Sequence, residues 1–175
     1  LERPDIKHDV YKKIDAVRKP GSIVSSNTST IPLAVLLKGQ SDAFAADFAI
    51  THFFNPPRYM RLLEVVGGEK TRPDALESLV EFGDVALGKE VVRCKDTPGF
   101  IGNRIGIYWS YTAISQSIDM GLTIEETDAL VGKPMGIPST GIFGLVDLTG
   151  IDLAPHVNES MLTLLPETDA FCQDF

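Results

Sequence analysis

The stretch Phe48-Ala49-Ile50-Thr51-His52-Phe53-Phe54-Asn55-Pro56-Pro57 decides how this chain is read. Its apolar, aromatic and β-branched residues predict a strand over 48–54, closed by the Asn-Pro-Pro turn. Short apolar runs and amphipathic segments alternate around it. Ile6, Val10, Ile14 and Val17 recur at spacings of three and four, predicting a helix over 5–18 that Pro20-Gly21 stops. Residues 22–26 read as a short strand, followed by the polar turn Asn27-Thr28-Ser29-Thr30, and Pro32 opens a brief helix to Leu37. A further strand over 62–66 ends at Gly67-Gly68. Pro73 suits a first helical position, and that helix carries Leu76, Leu79, Val80, Val85 and Leu87 to Gly88. Residues 90–94 form the next strand.

After Cys94 the pattern changes. Thr97-Pro98 reads as an N-cap with proline at the first helical position, starting a long helix to Met120 that Gly121 ends. Thr123 with Glu126 is a capping box for a helix to about Val131, and further helices are expected over 142–148 and 151–165. The fold class is therefore α/β followed by all-α, with the boundary near Asp96. Alternating strands and helices argue for a mostly parallel sheet covered by helices, and such sheets bind ligands at the carboxyl ends of their strands. Asn27-Thr28-Ser29, His52 with Asn55, and Glu64 are expected to converge on that edge.

Composition narrows the function classes. The 175 residues carry 24 Asp+Glu against 16 Lys+Arg, a net charge of -8, which argues against broad nucleic-acid binding. No apolar run reaches the roughly 18–20 residues of a membrane span. Cys94 and Cys172 form neither a disulfide framework nor a metal signature, which fits a reducing, cytoplasmic setting. No His/Cys/Asp grouping has metal-ligand spacing, so no metal is expected.

The residues able to do chemistry are few. Histidine has an unperturbed pKa of about 6.5, suited to proton transfer near neutrality. His52 is either a core histidine satisfied by one hydrogen bond or a general base. Glu64, flanked by Leu62, Leu63, Val65 and Val66, is costly to bury unless paired. It is either a strand-end charge facing water or the carboxylate that orients His52. Taken together, the two favour the functional pair. Ser29 lacks a Gly-x-Ser-x-Gly elbow and reads as turn chemistry or as a substrate hydrogen-bond donor. Asn103, a poor helix former early in the long helix, is either exposed or aimed at a cleft. No Gly-x-Gly-x-x-Gly occurs.

Four blocks in order carry a resemblance: Ser26-Asn27-Thr28-Ser29, His52-Phe53-Phe54-Asn55-Pro56, Leu63-Glu64-Val65-Val66, and Lys95-Asp96-Thr97-Pro98-Gly99-Phe100-Ile101-Gly102-Asn103-Arg104. Together they resemble the L-3-hydroxyacyl-CoA dehydrogenase family. Pro134-Met135-Gly136 and Gly144-Leu145-Val146-Asp147 resemble its helical-domain signatures, and Asn55-Pro56-Pro57-Arg58-Tyr59 looks closer to large β-oxidation proteins fused to an enoyl-CoA hydratase. The resemblance implies that residues 1–95 are the C-terminal part of a Rossmann-type NAD-binding domain. Residues 96–175 would be the helical substrate and dimerisation domain, pairing the chain as a homodimer. It implies oxidation of an (S)-3-hydroxyacyl-CoA to a 3-oxoacyl-CoA in fatty-acid β-oxidation, with NAD as hydride acceptor. His52 then takes the position of the general base and Glu64 that of its orienting carboxylate. Ser29 and Asn103 match groups that hold substrate oxygens, and Glu2, Lys7, Ser29 and Asn55 match cofactor-side positions. The segment 133–143 is longer than the family's linker, which leaves acyl-chain preference open.

Two other classes stay in view: a non-catalytic dimerisation module, and a related NAD-dependent hydroxy-acid dehydrogenase. The resemblance also puts the family's first strand, its glycine-rich phosphate turn and the acidic ribose ligand ahead of Leu1. The 175-residue polypeptide by itself is accordingly expected to bind NAD poorly and to turn over little or nothing. Titration with NADH followed by nucleotide fluorescence checks this; tight, stoichiometric binding contradicts it.

Overall fold

The computed structural model describes residues 3–136 and 139–174, and their side chains except at 153, 154, 156, 160, 173 and 174. The chain divides into two compact units, Leu1–Ile101 and Gly102–Phe175.

In the first unit, α1 (Pro4–Val17) opens with proline in its first turn and leads to β1 (Val24–Ser26). Two short helices follow, α2 (Leu33–Leu36) and α3 (Asp42–Ala46), then the strands β2 (Phe48–Phe53) and β3 (Leu62–Gly67). Helix α4 (Pro73–Glu81) ends in a π-helical turn, Phe82–Ala86, before β4 (Glu90–Cys94). Helix α3 went unseen in the sequence because it is barely one turn long. It forms because Ser41 Oγ accepts the Phe44 N–H at 3.0 Å, an N-cap that needs no hydrophobic periodicity.

The sheet order is β1-β2-β3-β4. β1 pairs parallel to β2 and β3 parallel to β4, but β2 and β3 run antiparallel. The expectation that Glu64 lies at a strand's carboxyl end is corrected by this topology: it stands near the start of β3. It still reaches the edge where β2 ends, because the antiparallel register sets His52 opposite Glu64 and Ile50 opposite Val66. Opposed residues share a face. Phe48, Ile50 and His52 therefore line one face with Val66 and Glu64.

That face is the core. Tyr11 of α1, Leu33 and Leu36 of α2 and Phe44 of α3 pack on Phe48, Ile50 and Val66. Phe48 stands edge-on to Tyr11 at 5.0 Å and lies 5.3 Å from Phe44. The other face takes α4 and its π-helical turn. A Cβ on Gly83 would meet Leu63 and Val91 side chains at 2.8 Å, so only glycine lets the turn approach so closely. With helices on both faces, β2 is buried along almost its whole length.

The amino end of β2 is pinned by charge. Asp47, 5% exposed, accepts from Arg18 Nη1 at 2.6 Å and from Arg72 Nε at 2.8 Å, joining α1 and the start of α4 to the strand.

In the second unit the long helix α5 runs Gly102–Asp119, not from Thr97 as the N-cap reading expected. Gly99 (φ +71°) and Phe100 (φ +48°) take left-handed conformations, which no helix continues, so the segment before Gly102 is a turn. The capping box at Thr123 is present and starts α6 (Ile124–Leu130). A 3₁₀ turn (Lys133–Met135), α7 (Gly141–Thr149), α8 (Leu153–Leu164) and the short α9 (Ala170–Asp174) complete the unit. Asp128 closes α6 onto α7 by accepting the N–H groups of Phe143 at 2.7 Å and Gly144 at 3.1 Å. Ile137 and Pro138, in the lengthened linker, lie outside the described residues. Among the described residues no helix is long and apolar enough to cross a membrane.

The Asp47 cluster sets an acid limit on stability. The Arg18 hydrogen bond, helped by Arg72, holds the Asp47 carboxyl below the usual carboxylate range, against the opposing effect of burial. A depressed folded-state pKa adds stability that is complete above the unfolded value, about 3.9, and is lost as pH falls through the lower folded one. Asp47→Asn removes one of the two carboxylates on the buried Arg18, leaving Asp15, and is expected to cost about 2 kcal/mol at pH 7. Urea unfolding followed by circular dichroism checks this, with the difference from the unsubstituted chain shrinking below about pH 4.

Candidate active site

At the end of the core face the apolar stripe turns polar. His52 (3% exposed) and Glu64 (0%) face each other, with Nδ1 of the imidazole 2.7 Å from Oε2 of the carboxylate. A carboxylate only accepts, so Nδ1 carries the proton and donates it. That fixes the tautomer and leaves Nε2 with a free lone pair. Two rings flank the imidazole: Phe54 edge-on at 4.6 Å and Phe100 at 5.6 Å.

Glu64 is further held from the far side. Its Oε1 accepts the N–H of Ile101 at 2.9 Å and stands 3.7 Å from Sγ of Cys94. The Ile101 N–H is delivered by the left-handed pair Gly99-Phe100; glycine takes that conformation without cost, and the Phe100 ring is nearly buried against the core. Asp96 anchors the same turn by accepting the Leu33 N–H at the start of α2, at 2.8 Å. Burial, and then the Glu64 charge beside it, push the Cys94 thiol up to about 11.

The adjacent ends of β1 and β2 supply further polar groups. Asn27 Oδ1 accepts the Phe53 N–H at 2.9 Å, and Ser25 Oγ lies 2.8 Å from Thr51 Oγ1. Thr28 Oγ1 accepts from Ile31 at 3.2 Å, shaping the turn that presents the half-buried Ser29. Lys7 Nζ reaches from α1 to Ser26 Oγ at 3.4 Å. Asn55 is exposed just past His52, at the start of a loop. Lys89 fixes that loop by donating to the carbonyls of Pro57 and Met60.

The structure thus brings His52 and Glu64 into one hydrogen bond and sets Lys7, Ser29 and Asn55 on elements that end at the same sheet edge. Asn103 is the second residue of α5, half-buried within the second unit, and Glu2 lies outside the described residues. The sequence places Asn27 at this edge, as found, but does not single out Cys94, Ile101 or Lys89. Gly99 was the available signal for the turn at 99–101, overlooked beside the stronger Thr-Pro cap pattern. A separate cavity of about 540 Å³ is lined by Leu33, Leu37, Gly67, Gly68 and Asp96 among others. Neither His52 nor Glu64 borders it, so the cavity does not mark that pair. Among the described residues no group of three or more His, Cys, Asp or Glu could hold a metal ion.

A buried histidine–carboxylate pair at the edge of a helix-covered sheet is chemically able to exchange a proton, and comparison with known proteins gives the family. Residues 1–97 match the NAD-binding domain of 3-hydroxyacyl-CoA dehydrogenase, and residues 99–173 match that enzyme's C-terminal domain. The chain belongs to the 3-hydroxyacyl-CoA dehydrogenase family. It is 40% identical over 171 residues to a probable 3-hydroxyacyl-CoA dehydrogenase of Deinococcus radiodurans, covering 98% of this chain and 49% of that protein. It is 42% identical over 171 residues to a putative fatty acid oxidation complex trifunctional enzyme of Rickettsia felis, covering 98% of this chain and 24% of that one. Its fold is similar to that of (S)-3-hydroxybutyryl-CoA dehydrogenase PaaH1 from Ralstonia eutropha, with a TM-score of 0.86 and 29% identity over 99% of this chain and 59% of that one. The chain therefore spans half or less of the length of these two sequence relatives.

The assigned tautomer is directly measurable. Two-bond ¹H–¹⁵N spectra are expected to show Nδ1 of His52 protonated and Nε2 as the bare nitrogen above the imidazole's titration. The reverse pattern contradicts donation from Nδ1 to Glu64.

Proposed function

We propose that this chain carries the proton-transfer machinery of an NAD-dependent (S)-3-hydroxyacyl-CoA dehydrogenase. The observation that carries this reading is the 2.7 Å bond between two almost fully buried groups, His52 and Glu64. With Nδ1 committed to Glu64, Nε2 takes the proton of the substrate's 3-hydroxyl. The imidazolium that forms is stabilised by the ionised carboxylate behind it. As the O–H bond breaks, the C3–O bond becomes a carbonyl and C3 gives up its hydrogen as hydride. NAD, when bound, supplies the acceptor for that hydride. Phe54 and Phe100 exclude water from the imidazole's flanks, and Ser29 and Asn103 hold substrate oxygens in this reading.

The residues at the β1–β2 edge suit such a cofactor. Lys7 offers an ammonium beside Ser26, Ser29 a hydroxyl and Asn55 an exposed amide, a donor set matched to ribose hydroxyls and a carboxamide. Lys7, Ser29 and Asn55 would hold the nucleotide there. Homodimerisation through the second unit is supported by the exposure of Ile105, Ile118, Met120 and Leu148. The free cysteines support a reducing, cytoplasmic location.

The full-length chain with His52→Ala should lose about 10²–10⁴-fold in kcat/KM for a 3-hydroxyacyl-CoA, in steady-state assays following NADH, while its assembly state is unchanged. A loss below about tenfold, or 1.4 kcal/mol, removes His52 from the role of base. Equal activity on free hydroxy acids would point to the related hydroxy-acid dehydrogenase reading.

A further inference from the structure

The carboxylate behind His52 has two oxygens, and the proposed reaction accounts for only one of them. Oε2 takes the imidazole N–H, while Oε1 faces Ile101 N–H at 2.9 Å and Cys94 Sγ at 3.7 Å. Both arise from fixed features of the fold. Cys94 is the register partner of Val66 in the parallel β3–β4 pair, so it shares the face that carries Val66 and Glu64. Ile101 follows Gly99 and Phe100, whose left-handed backbone turns the N–H back onto the sheet; Phe100 is the only non-glycine residue with positive φ among the described residues. Backbone held in that region persists only where its surroundings enforce it, and such positions concentrate at functional sites.

The thiol has one proton and two acceptors, Glu64 Oε1 and the Val92 carbonyl, each 3.7 Å from Sγ. A charged acceptor outcompetes a neutral one by roughly twofold in hydrogen-bond strength, so the proton goes to Glu64. The raised pKa of Cys94, about 11, keeps that proton in place through the neutral range.

We propose that Cys94 and the Ile101 N–H both donate to the outer oxygen of Glu64, and that the Cys94 thiol tunes how strongly Glu64 holds the His52 imidazolium. Cys94 is a positioning residue in this scheme, acting on the reacting centre only through Glu64. A carboxylate shares its negative charge among the donors it accepts. Each donor on Oε1 draws density away from Oε2 and weakens its pull on the imidazolium. Removing the thiol proton therefore raises the proton affinity of His52. Of the titratable groups, His52 from β2 and Cys94 from β4 stand within contact of Glu64, while Phe54 and Phe100 face the imidazole without charge.

The inference rests on the proposed reaction only where kinetics are concerned; the titration of His52 tests it independently. In the full-length chain, Cys94→Val and Cys94→Ala are each expected to raise the His52 titration midpoint, followed by imidazole NMR, by about half a pH unit. The acid limb of kcat/KM should move the same way. In a Glu64→Gln background the same Cys94 substitutions should leave His52 unmoved. A midpoint shift under about 0.1 unit in variants with native circular dichroism overturns the proposal, as does an undiminished shift in the Glu64→Gln background. Should both variants fail to fold, the S–H infrared stretch of the unsubstituted protein decides. A lowered frequency that rises in Glu64→Gln supports donation to Glu64, and a free-thiol frequency overturns it. A normal titration shift in a protein inactive on 3-hydroxyacyl-CoA would refute the reaction and leave the role of Cys94 standing.

Discussion

The antiparallel register between β2 and β3 is the constraint on which the site depends. Side chains alternate faces along a strand, so a slip of one residue would send His52 to the α4 face and leave Glu64 among the core's aromatics. A parallel β3 would carry Glu64 to the far edge of the sheet. In the observed pairing His52 faces Glu64 one rung beyond Ile50 and Val66, so the packing of those residues fixes the polar pair as well. Phe48, Ile50 and Val66 are fully buried, and shifting the register would expose large apolar surface. At roughly 25 cal/mol per Å² of apolar area, that penalty exceeds the worth of one His–Glu bond by several-fold. The apolar core, more than the polar pair, holds the geometry.

Burying the glutamate has its own cost. An ionised carboxylate taken out of water loses several kcal/mol even after relaxation. Hydrogen bonds to a charged group return about 1.5–3 kcal/mol each. Nδ1 of His52 and the Ile101 N–H cover much of the loss, and the weaker S–H of Cys94 adds to it. The left-handed turn at Gly99-Phe100 then has a purpose beyond linking the two units. It uses left-handed backbone to bring an N–H to a carboxylate buried away from water.

Much of this was legible in the sequence, for identifiable reasons. The strand 48–53 announces itself by aromatic and β-branched residues, 90–94 by its paired valines, and α6 by its capping box. His52 and Glu64 stood out as polar residues inside apolar runs, which is improbable without a partner. Strand direction was not legible, because the apolar run Leu62–Val66 looks the same read either way. Only the short connection of 54–61 hinted at an antiparallel return, since a parallel crossover needs a dozen residues or more. The start of α5 was misplaced because Thr97-Pro98 satisfies a local cap rule, while the tertiary demand of Glu64 for an N–H determines the backbone there. Cys94 was counted only as a thiol for redox inference. Its role depends on register, which composition does not reveal.

The two ends of β2 divide stability from chemistry. At the amino end Asp47 is clamped between Arg18 and Arg72, guanidinium groups that stay charged at every working pH, so the clamp does not respond to pH above the acid range. At the carboxyl end the partner of the carboxylate is a histidine, the one side chain whose charge changes readily near neutrality. Both ends bury a carboxylate against a nitrogen donor, and the partner alone makes the difference. An arginine facing Glu64 would give a stronger anchor with no proton to exchange. A histidine facing Asp47 would loosen the strand whenever it lost its charge. The strand between them, buried on both faces, is stiff enough that protonation at one end need not disturb the anchor at the other. On the proposed reaction, that separation lets His52 gain and lose a proton in each cycle while the register that places it stays fixed.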